Sequence, residues 1–169
     1  MKILETERLI LRQLTTDDAE FILELLNDPS FIRNIGDRNV RTSEDACSYI
    51  LNGPVASYAK NGFGLYLVLL KETQEPIGMC GLIKREGLED VDIGYALLPR
   101  YWSKGYAVEA ARATKEYGKD VIGLKRIVAI VDPVNEDSIR VLEKIGLHYE
   151  TIVRLSPDDI DLKLFGAEL

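Results

Sequence analysis

The sequence predicts one α/β domain, residues 1–169, on a mixed and mostly antiparallel sheet of about seven strands flanked by about four helices. Three observations carry that expectation. Short apolar or alternating runs are interspersed with stretches whose apolar residues recur at helical spacing. Three strand-like runs in the middle of the chain are joined by turns too short for a crossover, so they pair antiparallel. No internal repeat, linker or low-complexity tract divides the chain.

In order, Thr6–Leu14 alternates, with Arg8, Ile10 and Arg12 on one face and Leu9 and Leu11 on the other, and reads as the first strand. Thr15-Thr16-Asp17-Asp18 caps a helix whose Phe21, Ile22, Leu25 and Leu26 fall at helical spacing, and Asn27-Asp28-Pro29 stops it. Asn34–Arg41 is polar and contains Gly36, a loop. Thr42-Ser43-Glu44-Asp45 opens a helix carrying Ala46, Tyr49 and Ile50, which Gly53-Pro54 kinks or splits before Ala56 and Ala59. After Asn61-Gly62 come three strands, Phe63–Leu70, Pro76–Lys84 and Val91–Leu98. Gly78 and Gly81 in the second allow a bulge or a close backbone approach. The following helix puts Ala107, Ala110, Ala111, Thr114 and Gly118 on one face, with Val121 closing it. Arg126–Val131 is a strand, Asp132–Asn135 a loop, and Asp137–Ile145 a helix stopped by Gly146. Leu147–Leu155 and Ile160–Phe165 form a closing strand pair around Ser156-Pro157-Asp158-Asp159.

Composition narrows the function. With 46% hydrophobic and 29% charged residues the chain is globular. Apolar runs such as Leu65–Leu70 are too short to span a bilayer. The N-terminal residues lack a signal-peptide core, so a cytoplasmic protein with no membrane partner is expected. A net charge of −7 argues against nucleic acid and is compatible with a cationic amine substrate. His148 is the one histidine, which leaves little material for a Ser-His-Asp triad or a metal site, and no metal is expected. Cys47 and Cys80 read as buried free thiols.

The informative stretch is Leu97 to Val108. A strand runs into Pro99, then Arg100-Tyr101-Trp102-Ser103-Lys104-Gly105, and an Ala-rich helix starts directly afterwards. A Gly-bearing turn before a helix N-terminus offers unpaired N–H groups and the positive end of a dipole, a phosphate site. It is neither a P-loop nor a Gly-x-Gly-x-x-Gly loop. An ordinary strand-turn-helix connection is the alternative.

Beside its neighbours this stretch resembles the GNAT superfamily of acetyl-CoA-dependent N-acetyltransferases. Within it, the chain is similar to the branch of bacterial ribosomal-protein N-terminal acetyltransferases. The resemblance rests on Thr6-Glu7-Arg8-Leu9-Ile10-Leu11-Arg12, on Asp92-Ile93-Gly94-Tyr95 with Leu97 and Pro99, and on Tyr101 to Ala110. It rests also on Asn135-Glu136-Asp137-Ser138 followed by Glu143 to Leu147. It implies a single GNAT-like domain whose fourth and fifth strands splay apart around the pantetheine arm of acetyl-CoA, the co-substrate. It also implies that Trp102, Ser103, Lys104, Gly105, Tyr106, Ala107 and Val108 form the pyrophosphate loop, with Ala96 and Leu97 offering main-chain groups to pantetheine. Trp102 stands where the superfamily has Gln or Arg, which favours a structural ring, and Ser103 replaces the usual Gly. Asn135 holds the pantetheine arm, orients Ser138, or caps a helix.

Acetyl transfer by direct attack in a ternary complex needs a neutral amine, a stabilised oxyanion and a proton for the leaving thiolate. An α-amine has a pKa of about 8, whereas a lysine or polyamine at about 10.4 needs roughly a hundredfold more help from a base. By resemblance Asp92 aligns with a strand Glu and is the candidate base, against an edge carboxylate paired with Arg or Lys. Glu150 is a second candidate facing the same pocket. The oxyanion would meet a strand N–H near Leu97. Leu142 occupies the position of the Tyr that protonates the thiolate in many such enzymes, and Ser138 matches the Ser of the ribosomal branch. Tyr95 reads as a core residue and His148 as structural. The acceptor is a primary amine, on a protein N-terminus or a small molecule, and Phe31–Ala59 would wall it. There Asp28, Asp37, Glu44 and Asp45 make the segment acidic. The alternative is a non-catalytic acyl-CoA-binding module. Homodimers are common among similar proteins, and nothing in the chain selects one.

Overall fold

The computed structural model describes residues 1–169. Its strands are β1 (Lys2–Glu5), β2 (Leu9–Arg12), β3 (Leu65–Leu70), β4 (Pro76–Ile83), β5 (Asp92–Leu97), β6 (Arg126–Val131), β7 (His148–Val153) and β8 (Leu162–Glu168). They form one eight-stranded sheet in the order β1-β2-β3-β4-β5-β6-β8-β7. The strand beyond the expected set is β1. The run from Thr6 breaks because Thr6 turns back on Leu9, its N–H reaching the Leu9 carbonyl at 2.9 Å and its hydroxyl taking the Leu9 N–H at 3.0 Å. Leu9 and Leu11 are fully buried, as the alternation requires.

The helices are α1 (Ala19–Asn27), α2 (Pro29–Asn34), α3 (Ser43–Ile50), α4 (Ala56–Asn61), α5 (Tyr106–Tyr117) and α6 (Glu136–Lys144). Thr15 and Asp18 form the expected capping box ahead of α1. Asp28-Pro29 ends α1 but also starts α2. The Asp28 carboxylate accepts from the Ser30 N–H at 2.9 Å, and Pro29 occupies the first turn, where its missing N–H costs nothing. Pro54 opens a wide turn, Leu51–Val55, between α3 and α4.

Helix α5 packs across β4 and β5. Ala110, Ala111 and Thr114 are fully buried, so the small-residue face lets the helix approach the sheet closely. Val121 does not close that face. The helix widens at Gly118–Ile122, which rotates Val121 outward to 66% exposure and brings Ile122 and Leu124 against the core instead. Gly78 is a point of close approach: a Cβ there would lie 2.2 Å from the Ala96 carbonyl oxygen on β5. No helix is long and apolar enough to cross a membrane.

Every neighbouring strand pair is antiparallel except β5 and β6. Those two run parallel and meet at one point, where Asp92 faces Val128 and the Val128 N–H reaches the Val91 carbonyl at 3.1 Å. Beyond it they diverge. The sheet therefore opens toward the C-terminal end of β5, beside the start of α5.

Candidate active site

Strand β5 delivers the chain into a short turn, Pro99–Tyr101, and from there through Trp102–Gly105 into α5. Ser103 has φ +62° and Gly105 φ +85°, with Lys104 between them at negative φ. This alternation of hand turns successive N–H groups the same way and makes an anion-binding nest. No side chain caps the helix at Gly105. Every main-chain N–H from Ser103 through Val108 lacks an acceptor in the protein. The turn is therefore built for an oxygen-rich anion. Ser103 holds the left-handed conformation that its usual Gly adopts freely, at a cost of about 1–2 kcal/mol for an L-residue.

The divergence of β5 and β6 leaves a cleft of about 1270 Å³, lined by Ile93–Leu97 of β5, Ala129–Val131 of β6, and Ser103 and Gly105–Val108 of the loop. Such a volume suits a large elongated ligand. In the β4–β5 ladder the Leu98 N–H reaches the Ile77 carbonyl, and Val91 bonds across to β6. Alternation then directs the main chain of Tyr95 and Leu97 into the opening and that of Ala96 toward Met79. Leu97 thus offers its N–H to the cleft, but its carbonyl accepts the Trp102 indole N–H at 2.8 Å. That bond gives the Trp102 ring a structural role. The Lys104 side chain is exposed and does not line the cleft.

Helix α6 contributes Asn135, Ser138 and Leu142 to the other wall. Asn135 is its N-cap, accepting the Ser138 N–H at 3.2 Å, so capping and the placement of Ser138 are one interaction. Tyr95 packs against the core as expected, and its hydroxyl reaches beyond it, lying 2.8 Å from Ser138 Oγ and donating to the Ser138 carbonyl at 3.0 Å. Burial pushes the Tyr95 phenol upward, against a smaller opposing effect of Ser138, so it stays protonated. Nothing in the sequence brings β5 into register with α6, which is why this pair escaped pattern reading. Leu142 is buried and apolar.

Asp92 is 1% exposed and lines the same cleft. Arg85 donates its Nε–H to Oδ2 at 2.8 Å, while Oδ1 is buried without any partner. Burial drives the carboxyl upward, and Arg85 offsets it only in part because a single oxygen is satisfied. The ion-paired carboxylate of the alternative reading is thus present, and its second oxygen is buried without a partner. Glu150 is elsewhere. A bulge between Tyr149 and Thr151 turns it over Gly166 of β8, where Arg126 grips both carboxylate oxygens, and it is absent from the cleft wall.

The far end of the cleft is walled by Phe31–Gly36, Arg38 and Tyr49. The acidic residues expected there are occupied locally. Asp28 caps α2, Asp37 pairs with Arg41, the Asp45 carboxylate accepts the Arg41 main-chain N–H while the Asp45 N–H donates to the Thr42 hydroxyl, and none of these nor Glu44 faces the cleft. Arg33, Arg38 and Arg85 line it instead, along with Asp158 and Asp159 from the β7–β8 loop. Asp92, Ser138, Asn135, Leu97 and the loop are thus brought together; Glu150 is not.

Comparison with known proteins agrees with this geometry. Residues 8–148 match the family described as acetyltransferase (GNAT) domain. The chain is 35% identical over 153 residues to the uncharacterized N-acetyltransferase YoaA of Bacillus subtilis, covering 90% of this chain and 86% of that protein. Among solved structures, a GNAT-family acetyltransferase from Bacillus anthracis superposes with a TM-score of 0.81 at 30% identity, over 99% of this chain and 98% of that one. The ribosomal L7/L12 α-N-protein acetyltransferase RimL in complex with coenzyme A shares the fold, with a TM-score of 0.86 at 16% identity over 100% and 98% of the two chains.

Proposed function

The chain belongs to the GNAT acetyltransferase family, and from that premise we propose that it acetylates a primary amine by direct attack in a ternary complex with acetyl-CoA. The observation that carries the reading is a single continuous cleft. It has unpaired N–H groups of a helix N-terminus in its wall, and with them a buried carboxylate oxygen that has no partner.

Acetyl-CoA supplies the activated acyl group. The N–H groups of Ser103–Val108 would hold its pyrophosphate, and the β5–β6 opening would take the pantetheine arm. Neither Cys47 nor Cys80 lines the cleft, which favours direct attack over a thiol-bound intermediate. Asp92 Oδ1 is free to accept a proton from the incoming ammonium, and burial strengthens it as a base. The Leu97 N–H is the main-chain donor available to the oxygen on which negative charge builds. Ser138 would pass a proton to the departing sulfur and take one from the Tyr95 hydroxyl, and the second proton that the acceptor nitrogen loses on becoming an amide would restore the phenol, the first having gone to Asp92. Leu142 has no proton to give.

The acceptor meets charges of both signs, from Arg33 and Arg38 and from Asp158 and Asp159, rather than an acidic wall. This favours a peptide N-terminus over a polyamine. An α-amine, with a pKa of about 8, also asks less of a single carboxylate base. Isothermal titration with acetyl-CoA tests the reading, and no binding at millimolar ligand would end it. Free-thiol release on a panel of peptides with N-terminal Ala or Ser, spermidine and aminoglycosides identifies the amine. Binding without thiol release on any amine would point to a non-catalytic acyl-CoA module.

A further inference from the structure

We propose that Arg8, which lies outside the cleft between β1 and β2, is a positioning residue that aims the Gly105 N–H at the pyrophosphate of the co-substrate. The inference rests on the acetyl-CoA reading of the loop. Arg8 Nη1 donates to the Lys104 carbonyl oxygen at 2.9 Å. Its Nε donates to Glu109 Oε1 at 2.7 Å, its main-chain N–H donates to Glu109 Oε2 at 2.9 Å, and its Cζ stacks 4.4 Å above the Tyr106 ring. The Thr6 hydroxyl donates to the same Glu109 oxygen at 2.5 Å. The guanidinium is therefore fixed at two edges and one face.

The consequence follows from the planar trans peptide. The Lys104 carbonyl and the Gly105 N–H belong to one plane and point in opposite directions. Arg8 is absent from the cleft wall and Gly105 is part of it, so holding the carbonyl toward Arg8 turns the N–H toward the cleft. This peptide needs holding because residue 105 is Gly, which tolerates either sign of φ and so resists a flip of the peptide plane weakly. A flip would present a carbonyl oxygen to the anion in place of a donor. Arg8 also balances the Glu109 carboxylate, which stands in the first turn of α5 and would otherwise oppose a second negative group there.

The test compares acetyl-CoA with acetyl-pantetheine, which lacks the pyrophosphate, in the unaltered chain and in the R8Q and R8K variants. The expected result is a penalty of about tenfold or more in KM for acetyl-CoA in R8Q, exceeding the penalty on acetyl-pantetheine by a similar factor. Calorimetric Kd for coenzyme A should rise in step, and the amide signal of Gly105 should lose its shift on adding coenzyme A. R8K keeps a charged donor of nearly the same reach for the carbonyl, where the Gln amide is neutral and shorter, and should recover part of the affinity. It also carries the test if R8Q does not fold. Equal penalties on both co-substrates, or an unchanged Kd for coenzyme A, would overturn the proposal. An unaltered chain that binds no coenzyme A would instead overturn the reading of the site on which it rests.

Discussion

The Tyr95 hydroxyl stands 2.8 Å from Ser138 Oγ, joining β5 to the first turn of α6 across 43 positions of chain. Leu142 on that helix is buried and apolar, and the phenol nearest Ser138 comes from the strand; on the proposed mechanism the serine and this phenol act together. Substitution should expose that division of labour. Ser138→Ala is expected to lower kcat by about 10- to 100-fold with little change in KM for acetyl-CoA. Tyr95→Phe should cost less, and the double variant should be no slower than Ser138→Ala alone, because both act in one proton path. Steady-state thiol release on all three variants checks it. Additive losses would mean that the two hydroxyls work separately.

On the proposed role of Asp92 as the base, this residue links activity to pH. Its carboxyl is raised by burial, so the folded protein binds that proton more tightly than the unfolded chain does. The sign is then fixed. The stabilising contribution of neutral Asp92 is full below the unfolded carboxyl range and is lost as pH rises through the raised value. Base catalysis runs the other way and appears only as the group ionises. The acid limb of the kcat/KM profile for the acceptor should therefore fall above the usual carboxylate range. Asp92→Asn should lower kcat by about 100-fold or more and remove that limb. A profile of unchanged shape in Asp92→Asn would assign the limb to another group.

Ser103 and Gly105 share the left-handed backbone but not its cost. Ser103→Gly should raise stability by up to about 1 kcal/mol while coenzyme A still binds. Gly105→Ala should lower stability by about 1–2 kcal/mol, its Cβ also pressing within 3.2 Å of Arg8 Nη2. Denaturant melts with calorimetric titration of coenzyme A resolve the two effects.

Trp102 supplies a bond within the fold. Trp102→Phe keeps the ring and removes the indole donor from the Leu97 carbonyl, so stability should fall by about 1 kcal/mol. Affinity for coenzyme A should change by less than about threefold. A tenfold loss of affinity at unchanged stability would give Trp102 a ligand-binding role instead.

Much of this architecture is legible along the chain, because its signals are local. Thr15 with Asp18, Thr42, Gly62 and Gly146 mark element boundaries through caps and positive φ, and the alternation of Leu9 with Leu11 fixes which face of β2 is buried. The loop from Trp102 to Val108 is legible for the same reason, since an anion site at a helix N-terminus is made of consecutive residues. Val121 shows where locality fails: its position follows from a widened turn set by packing against the sheet, not from its spacing along a helix.

The sequence by itself determined the fold class and marked an anion-type turn ahead of a helix, because periodicity, capping and chain-adjacent N–H groups are short-range properties; Asp92 and Ser138 were candidates through the family resemblance alone. Only the tertiary structure decided how the other side chains share the work. It carried Glu150 to Arg126 through a bulge and turned the Ala96 main chain toward Met79. It set Tyr95 behind Ser138 and left Asp92 Oδ1 without a partner. Those outcomes depend on strand register and on the single parallel contact of β5 with β6, where residues distant in sequence meet and no local pattern specifies the pairing.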